Sequence, residues 1–292
     1  MPFLQTAAMR ANVTLLAKPH AAPLLARFAP KVEHLPIVAP WTAFSGKYLL
    51  HRWPWRELGR ACRQLRERQF TLGVSARPDP RDHALLLLAN ASHRIGFHRR
   101  GSGVLLQRPL PPPTSPHRAA NWQAIAHALH WDIAPPNPAP RNGRHIVIHP
   151  GAAHPARIWP RDRFEILATR LRDAGWSVSL IDEKSGPLGH LMDTLQQADR
   201  FIGNDSGPGH LAALLGVPTF TLFGPQLPER FVPQHPQANW IEGTPCAHRP
   251  CHDACRFASP HCILDHEVDH VWTRVKRWLD HTEPTRKTSP PP

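Results

Sequence analysis

The loop at residues 203–210, which reads GNDSGPGH, has the residue types best suited to chemistry in this chain of 292 residues. A short apolar strand precedes the loop, and a helix and a second strand at residues 218–223 follow it. In parallel α/β sheets ligands bind at the edge where strands end, and the free N–H groups and positive dipole end of a following helix favour an anion there. The loop therefore predicts an anion site, of the kind that often binds a phosphate.

Individual side chains of this loop fit a phosphate or sugar ligand. Gly207 and Gly209 let the backbone approach a ligand closely, and Ser206 and His210 could donate hydrogen bonds to phosphate oxygens. Asp205 has no basic neighbour in sequence and would suit a ribose or sugar hydroxyl. The alternative is that Asp205 and Ser206 only cap the following helix, and spacing alone does not decide between the two interpretations.

A second loop at residues 149–160, HPGAAHPARIWP, also links a strand to a helix. Gly151 and Ala152 leave room for a ligand, and the guanidinium of Arg157 could clamp a diphosphate bidentately. The alternative is a surface arginine, with Trp159 as a packing residue. Taken together, the two loops predict a nucleotide-diphosphate site in one domain.

The composition favours an anionic partner. The formal net charge is +13, with 21 histidines besides, which suits nucleic acid, anionic lipid headgroups or a phosphorylated substrate. The alternative is that scattered arginines reflect the composition of a GC-rich genome. We find neither an apolar run of about 18 residues nor a secretory signal, so the expected location is the cytoplasm, with reduced thiols.

Strands that alternate with helices predict an α/β fold whose parallel sheets are covered on both faces. A proline-rich stretch predicts a linker between two domains. The predicted ranges are 1–134 for an N-terminal Rossmann-like domain, 135–144 for the linker, 145–281 for a nucleotide-sugar-binding domain and 282–292 for a disordered tail. The predicted strands are 12–17, 70–74, 94–97, 145–149, 178–181 and 218–223, and the predicted helices are 54–68, 83–91, 119–129, 160–174, 188–197 and 268–279.

Three segments carry a resemblance to glycosyltransferase family 9, the ADP-heptose:lipopolysaccharide heptosyltransferases. The 149–160 loop resembles that family's PGA…K/R-x-W-P segment, and residues 203–225 resemble its DSGPxHLAxALGxPxxxLFGP block. Residues 81–97 resemble a segment ending in R-I/V-G-F/Y. The resemblance extends from about residue 12 to residue 279 and is most specific in the 203–225 block.

The resemblance implies the GT-B fold, in which two Rossmann-like domains face across a cleft. The C-terminal domain would bind a nucleotide sugar such as ADP-heptose, and the N-terminal domain a lipid-linked anionic acceptor at the inner face of the cytoplasmic membrane. The implied reaction transfers heptose with inversion and requires no cofactor. The alternatives are an inactive, binding-only relative and another nucleotide-sugar enzyme of this fold, such as an epimerase.

The resemblance also assigns roles in the donor site. Arg157 would hold the diphosphate, and Asp205 would contact sugar hydroxyls. Glu183 falls near the family's ribose-binding acid, but the compressed segment around it favours a solvated loop residue. The other expected donor-site residues are Ser206, Gly207 and His210 at the phosphates, Phe223 and Gly224 beside the nucleoside, and Gly151 and Ala152, which leave room for the ligand.

The chain departs from the family pattern at its start. Family members begin with a strand and a Gly-Asp loop whose aspartate is the presumed catalytic base, whereas residues 1–8 match only the later part of the first helix. We therefore expect an incomplete N-terminal domain with exposed sheet edges, because of a misassigned start or a truncation. The resemblance leaves the catalytic base of this chain unassigned.

Four cysteines form a cluster with the spacing C-x4-C-x3-C-x6-C. Four thiolates in so short a span could bind a structural zinc ion, although the paired C-x2-C spacing of zinc ribbons is missing. Thiols that simply pack a loop are the alternative. A nucleic-acid-binding module is not expected, because neither interleaved aromatic residues nor a groove-reading helix accompanies the cysteines. The cluster consists of Cys246, Cys251, Cys255 and Cys262, with His248, His252 and His261 between them.

Overall fold

The computed structural model describes residues 1–42, 48–134, 137–182, 186–251 and 253–282. Glu183, His252 and all but the first residue of the predicted tail lie outside the described residues. The chain divides into two compact units, Met1–Ala134 and Pro135–Pro292. Among the described residues, no helix is long and apolar enough to cross a membrane.

The described residues of unit one form five short strands, which are parallel within two separate sheets. One sheet pairs β1 with β2, and the other has the order β3-β4-β5. The strands are β1 Thr14–Ala17, β2 Glu33–Pro36, β3 Leu72–Ser75, β4 His93–Phe97 and β5 Arg108–Leu110. The helices are α1 Pro2–Ala8, α2 Ala22–Phe28, α3 Trp55–Glu67, α4 Pro80–Leu88 and α5 Ala120–Ala128.

A cavity of about 870 Å³ in unit one is lined by residues of both β1 and β3. Leu15 and Ala17 contribute from the first sheet, and Leu72 and Val74 from the second. The two sheets of unit one thus both border this cavity, and the incomplete N-terminal domain stays a prediction.

Unit two contains one five-stranded parallel sheet with the order β7-β6-β8-β9-β10. The chain moves outward in one direction from β6 and in the other from β8, so the topological switch point lies between these two strands. The strands are β6 His145–His149, β7 Ser177–Leu180, β8 Arg200–Asn204, β9 Thr219–Phe223 and β10 Asn239–Glu242. The helices are α6 Arg161–Asp173, α7 Leu188–Gln196, α8 Gly207–Leu214, α9 Pro228–Phe231, α10 His261–Leu264 and α11 Val268–Thr282.

The core of unit two forms where α6 and α11 cover the sheet. Phe164, Leu167 and Leu171 are fully buried, and their spacing of three and four residues places them on one face of α6. Gly175 follows the helix with φ +84°, the left-handed conformation that glycine adopts without strain. This packed layer covers β6, and the 149–160 loop begins at the carboxyl end of that strand.

The segment predicted as a linker is packed on unit two over residues 137–144. The Arg141 guanidinium donates to the carbonyl oxygens of Gln196, Ala198, Leu215 and Gly216 at 2.7–3.2 Å. These bonds satisfy chain carbonyls at the ends of α7 and α8. In the structure this segment is therefore part of the second compact unit.

Candidate functional site

Both predicted loops lie at the carboxyl edge of the sheet, directly after β6 and β8, on the two sides of the switch point. Asn204, the last residue of β8, is fully buried and ties the loops together. Its Nδ2 donates to the Pro150 carbonyl at 2.7 Å, and its Oδ1 accepts from the Trp159 amide at 3.1 Å. Sequence reasoning gave Asn204 no role, although an amide side chain at the end of a buried strand needs partners.

Trp159 is a packing residue, as the alternative interpretation held. Its side chain is fully buried, its indole N–H donates to the His266 carbonyl at 2.7 Å, and its ring meets Phe164 edge to face. The contact anchors the second loop to the core, because a buried indole N–H requires an acceptor. Arg157, two residues earlier, is thereby held at the sheet edge.

Arg157 is not the surface arginine of the alternative interpretation, because its guanidinium lies between two buried carboxylates. Nε and Nη2 donate to the two oxygens of Asp253 at 2.7 and 2.6 Å, and Nη1 donates to Asp205 Oδ2 at 3.1 Å. The arginine side chain is 20% exposed and each carboxylate 7%. The bidentate pair with Asp253 occupies one edge of the guanidinium, so further N–H groups of Nη1 and Nη2 remain for a ligand.

The pKa values of the two carboxylates are shifted in opposite directions. Burial raises the pKa of Asp205 to about 6, against the opposing charge of Arg157 and with a contribution from Asp253. Burial also pushes the pKa of Asp253 upward, but the hydrogen bonds and charge of Arg157, together with Gln226, hold it below its usual value. Asp253 is therefore the ionised partner of Arg157, and Asp205 has a pKa of about 6.

This difference predicts a pH-dependent effect of Asp205→Asn on stability. With a folded-state pKa near 6 and an ordinary value of 3.8, protonation of Asp205 favours the folded state below pH 4, and this contribution is lost as the pH rises through 6. At pH 8 the variant should be more stable than the wild type by about 2–3 kcal/mol. Urea denaturation at pH 8 and pH 4.5 measures this, and equal differences at the two pH values would contradict it.

Ser206 does not cap α8. It stands at the N-cap position without a capping hydrogen bond from its side chain, and its buried Oγ has no hydrogen-bond partner among the described residues. The capping interpretation is therefore wrong for Ser206, and its hydroxyl is available for a ligand. A buried hydroxyl without a partner is unfavourable in the empty protein, which suggests that a ligand supplies the partner.

A cavity of about 370 Å³ lies beside this hydroxyl. Ala152, Ser206 and Gly207, all predicted donor-site residues, line it together with the start of α7. Asp182, which sequence reasoning missed, also lines it. An acid just after the second strand of a Rossmann-like unit is a candidate to bind ribose hydroxyls, and this position is the signal that could have added Asp182 to the candidate residues.

The other predicted donor-site residues lie around this edge in different settings. Gly151 precedes Ala152 in the same loop, and His210 is exposed on the first turn of α8. Phe223 is fully buried at the end of β9. A Cβ on Gly224 would come within 2.8 Å of Ile263 Cβ, so close packing against α10 explains that glycine.

The four cysteines of the cluster line one small cavity of about 10 Å³. Burial raises the pKa of the Cys262 thiol to about 11, with further contributions from the other three cysteines. Over the part of the chain that the structure describes, no three His, Cys, Asp or Glu side chains are arranged to hold a metal ion. The four cysteine side chains therefore lie close together around one small cavity.

Comparison with known proteins identifies related sequences and folds. Residues 187–259 match the model of glycosyltransferase family 9 (heptosyltransferase). Over 105 residues the chain is 31% identical to lipopolysaccharide heptosyltransferase 1 of Pseudomonas aeruginosa, an alignment that spans 29% of this chain and 30% of that protein. The residues that match the family model include the 203–210 loop.

Two solved structures share the fold across almost the whole chain. The family 9 glycosyl transferase from Veillonella parvula aligns with a TM-score of 0.73 and 16% identity over 96% of this chain and 92% of that chain. The E. coli heptosyltransferase WaaC with ADP aligns with a TM-score of 0.70 and 14% identity over 96% and 94%. These likenesses show the GT-B α/β fold. In its sequence over residues 187–259 and in its fold, this chain is similar to glycosyltransferase family 9, the heptosyltransferase family.

Proposed function

We propose that this chain is an inverting glycosyltransferase that moves heptose, or a similar sugar, from ADP-heptose to a lipopolysaccharide-type acceptor. The observation that carries the proposal is the buried, unpartnered Ser206 hydroxyl at the start of α8, on the ligand-binding edge of the sheet. Arg157 occupies the second loop at the same edge. The names of the relatives support the donor, since one is a lipopolysaccharide heptosyltransferase and another was solved with ADP.

In this proposal the protein stabilises the leaving group. An acceptor hydroxyl oxygen forms a bond to the sugar's anomeric carbon, the bond from that carbon to the diphosphate oxygen breaks, and the hydroxyl proton passes to a base. Ser206, the N–H groups at the start of α8 and the Arg157 guanidinium balance the charge that develops on the diphosphate. Asp205 binds sugar hydroxyls and Asp182 binds the ribose. No described residue is assigned as the base.

The acceptor in this proposal is anionic and linked to lipid. Helix α3 exposes Arg56, Arg60 and Arg63 at spacings of four and three residues, which place them along one face. Trp55 and Leu50, at and before the start of this helix, are exposed apolar side chains. Basic and apolar groups side by side suit a peripheral contact with the anionic inner face of the cytoplasmic membrane.

Calorimetric titration tests the donor site. The wild type should bind ADP and ADP-heptose, and Ser206→Ala should weaken both about five- to tenfold, because one hydrogen bond to a charged phosphate is lost. Ser177→Ala, at an exposed serine at the start of β7, is the matched control and should leave affinity unchanged. If neither ADP, ADP-heptose nor UDP-sugars bind the wild type, the donor-site assignment is wrong.

A transfer assay separates the proposed activity from its alternatives. Heptosylated acceptor should form from ADP-heptose and a lipopolysaccharide core acceptor. Donor binding without product would indicate a binding-only relative. Interconversion of the nucleotide sugar without acceptor would indicate an epimerase.

Metal analysis of the purified protein addresses the cysteine cluster. If Cys246, Cys251, Cys255 and Cys262 only pack their loop, the protein should contain far less than one zinc or iron ion per chain, and all four thiols should react with a disulfide reagent after denaturation without prior reduction. A stoichiometric metal that chelation removes with loss of stability would show instead that the cluster is a structural metal site.

A further inference from the structure

The loop that carries the cysteines also delivers a carboxylate to the donor site. Asp253 lies between Cys251 and Cys255, and its side chain reaches Arg157, 96 residues away in the chain. The backbone of Asp253 has φ +72°, in the left-handed region that non-glycine residues adopt at some cost. The residue that binds Arg157 through two hydrogen bonds therefore has a backbone conformation that is unfavourable for a residue other than glycine.

A second layer of hydrogen bonds holds the Asp253 carboxylate. Gln226, which is buried, donates from Nε2 to Asp253 Oδ1 at 3.2 Å. Arg249 donates from Nε and Nη2 to the Gln226 carbonyl at 3.1 and 2.5 Å and from Nη1 to Glu242 at 2.6 Å. The carboxylate is thus fixed through a network that reaches the end of β10.

This arrangement determines how the guanidinium can face a ligand. The two hydrogen bonds from Nε and Nη2 to Asp253 set the plane of the guanidinium, and the single hydrogen bond from Nη1 to Asp205 is longer. A side chain held at one edge presents its other N–H groups in one orientation, which lowers the entropy lost when a ligand binds. We propose that Asp253 is a positioning residue that orients Arg157 toward the donor diphosphate, an inference that rests on the proposed function.

The sign of a substitution effect tests this proposal. If Asp253 were only a nearby negative charge, its removal would strengthen the binding of an anionic diphosphate. If it positions Arg157, its removal frees the guanidinium to turn fully onto Asp205, and binding weakens. The two roles therefore predict opposite changes in ADP affinity.

Calorimetry with ADP and adenosine on the full chain measures this change. Asp253→Asn should weaken ADP binding about tenfold and adenosine binding less than about twofold. When Arg157 is already replaced by glutamine, the same substitution should leave the affinities for ADP and adenosine unchanged. Asp253→Glu keeps the charge but displaces the carboxylate, so it should also weaken ADP binding even if the asparagine variant does not fold. Asp265→Asn, whose carboxylate accepts from Thr244 instead, is the matched control and should bind like the wild type.

The outcomes separate this inference from the proposed function. Failure of the wild type to bind ADP overturns the donor site and, with it, the positioning role. Normal binding by the wild type, with equal or tighter ADP binding by both Asp253 variants, overturns the positioning role alone. Equal weakening of ADP and adenosine also overturns it, because the effect would then not act through the diphosphate.

Discussion

Replacing Arg157 with alanine should lower the free energy of unfolding by about 3–5 kcal/mol at pH 8, because it leaves two buried carboxylates without their shared cation. Asp205 and Asp253 are both only 7% exposed at their side chains, so solvent cannot replace the guanidinium. ADP binding should also fall beyond calorimetric detection under conditions where the variant is folded. Urea denaturation and titration at low temperature measure the two effects.

The pH dependence identifies the cause of this loss. Without Arg157 both carboxylates have raised pKa values, so protonation stabilises the folded variant and part of the lost stability should return as the pH falls from 8 to 5. Adding Asp253→Asn to Arg157→Ala should restore stability at pH 8 by the same reasoning. A loss that neither acid nor the second substitution reduces would show that packing, and not the unpaired charges, is responsible.

Replacing Asn204 with alanine is the second change for which we expect a large effect. Asn204 is fully buried and bonds the Pro150 carbonyl and the Trp159 amide, so the variant leaves two buried backbone groups without partners. The expected cost is about 2–5 kcal/mol. Because these bonds hold the two site loops together, ADP affinity of the folded variant should also fall about tenfold or more.

Two controls define the role of Asn204. Asn204→Asp keeps an acceptor for the Trp159 amide but cannot donate to the Pro150 carbonyl, so it should lose stability as well. Asn239→Ala, at a half-buried asparagine at the start of β10, should change stability by less than about 1 kcal/mol. If Asn204→Ala unfolds at the wild-type urea concentration and binds ADP normally, the two bonds do not organise the site.

Much of unit two could be predicted because its local patterns agree with its fold. The strand HIVIH, predicted at residues 145–149, has those bounds in the structure, and the buried positions of α6 follow the helical period. In unit one, α4 begins at Pro80, three residues before the prediction, because Asp79 caps the helix and the proline fits its first turn. The short strands β2, β5 and β10 have polar or proline-containing sequences without alternation, so the sequence pattern did not indicate them.

From the sequence, only those features of the site that depend on residues within a single loop could be predicted. The 203–210 and 149–160 loops follow strands whose pattern is clear, so their place at one edge follows from parallel topology. The partners of Arg157 depend on tertiary structure, since Asp253 comes from a loop whose cysteine spacing suggested a metal instead. The close packing that requires a glycine at position 224 and the hydrogen bonds by which Asn204 connects the two loops likewise depend on contacts between residues that are distant in sequence.

Hydrogen–deuterium exchange with and without saturating ADP-heptose tests the central claim most directly, because it reports both binding and place. We expect slower exchange in peptides covering residues 150–159 and 204–211. The exchange of α11 should be unchanged and serves as an internal control. Unchanged exchange in both loops at saturating ADP-heptose, or protection confined to unit one, would contradict a donor site at the β6–β8 edge.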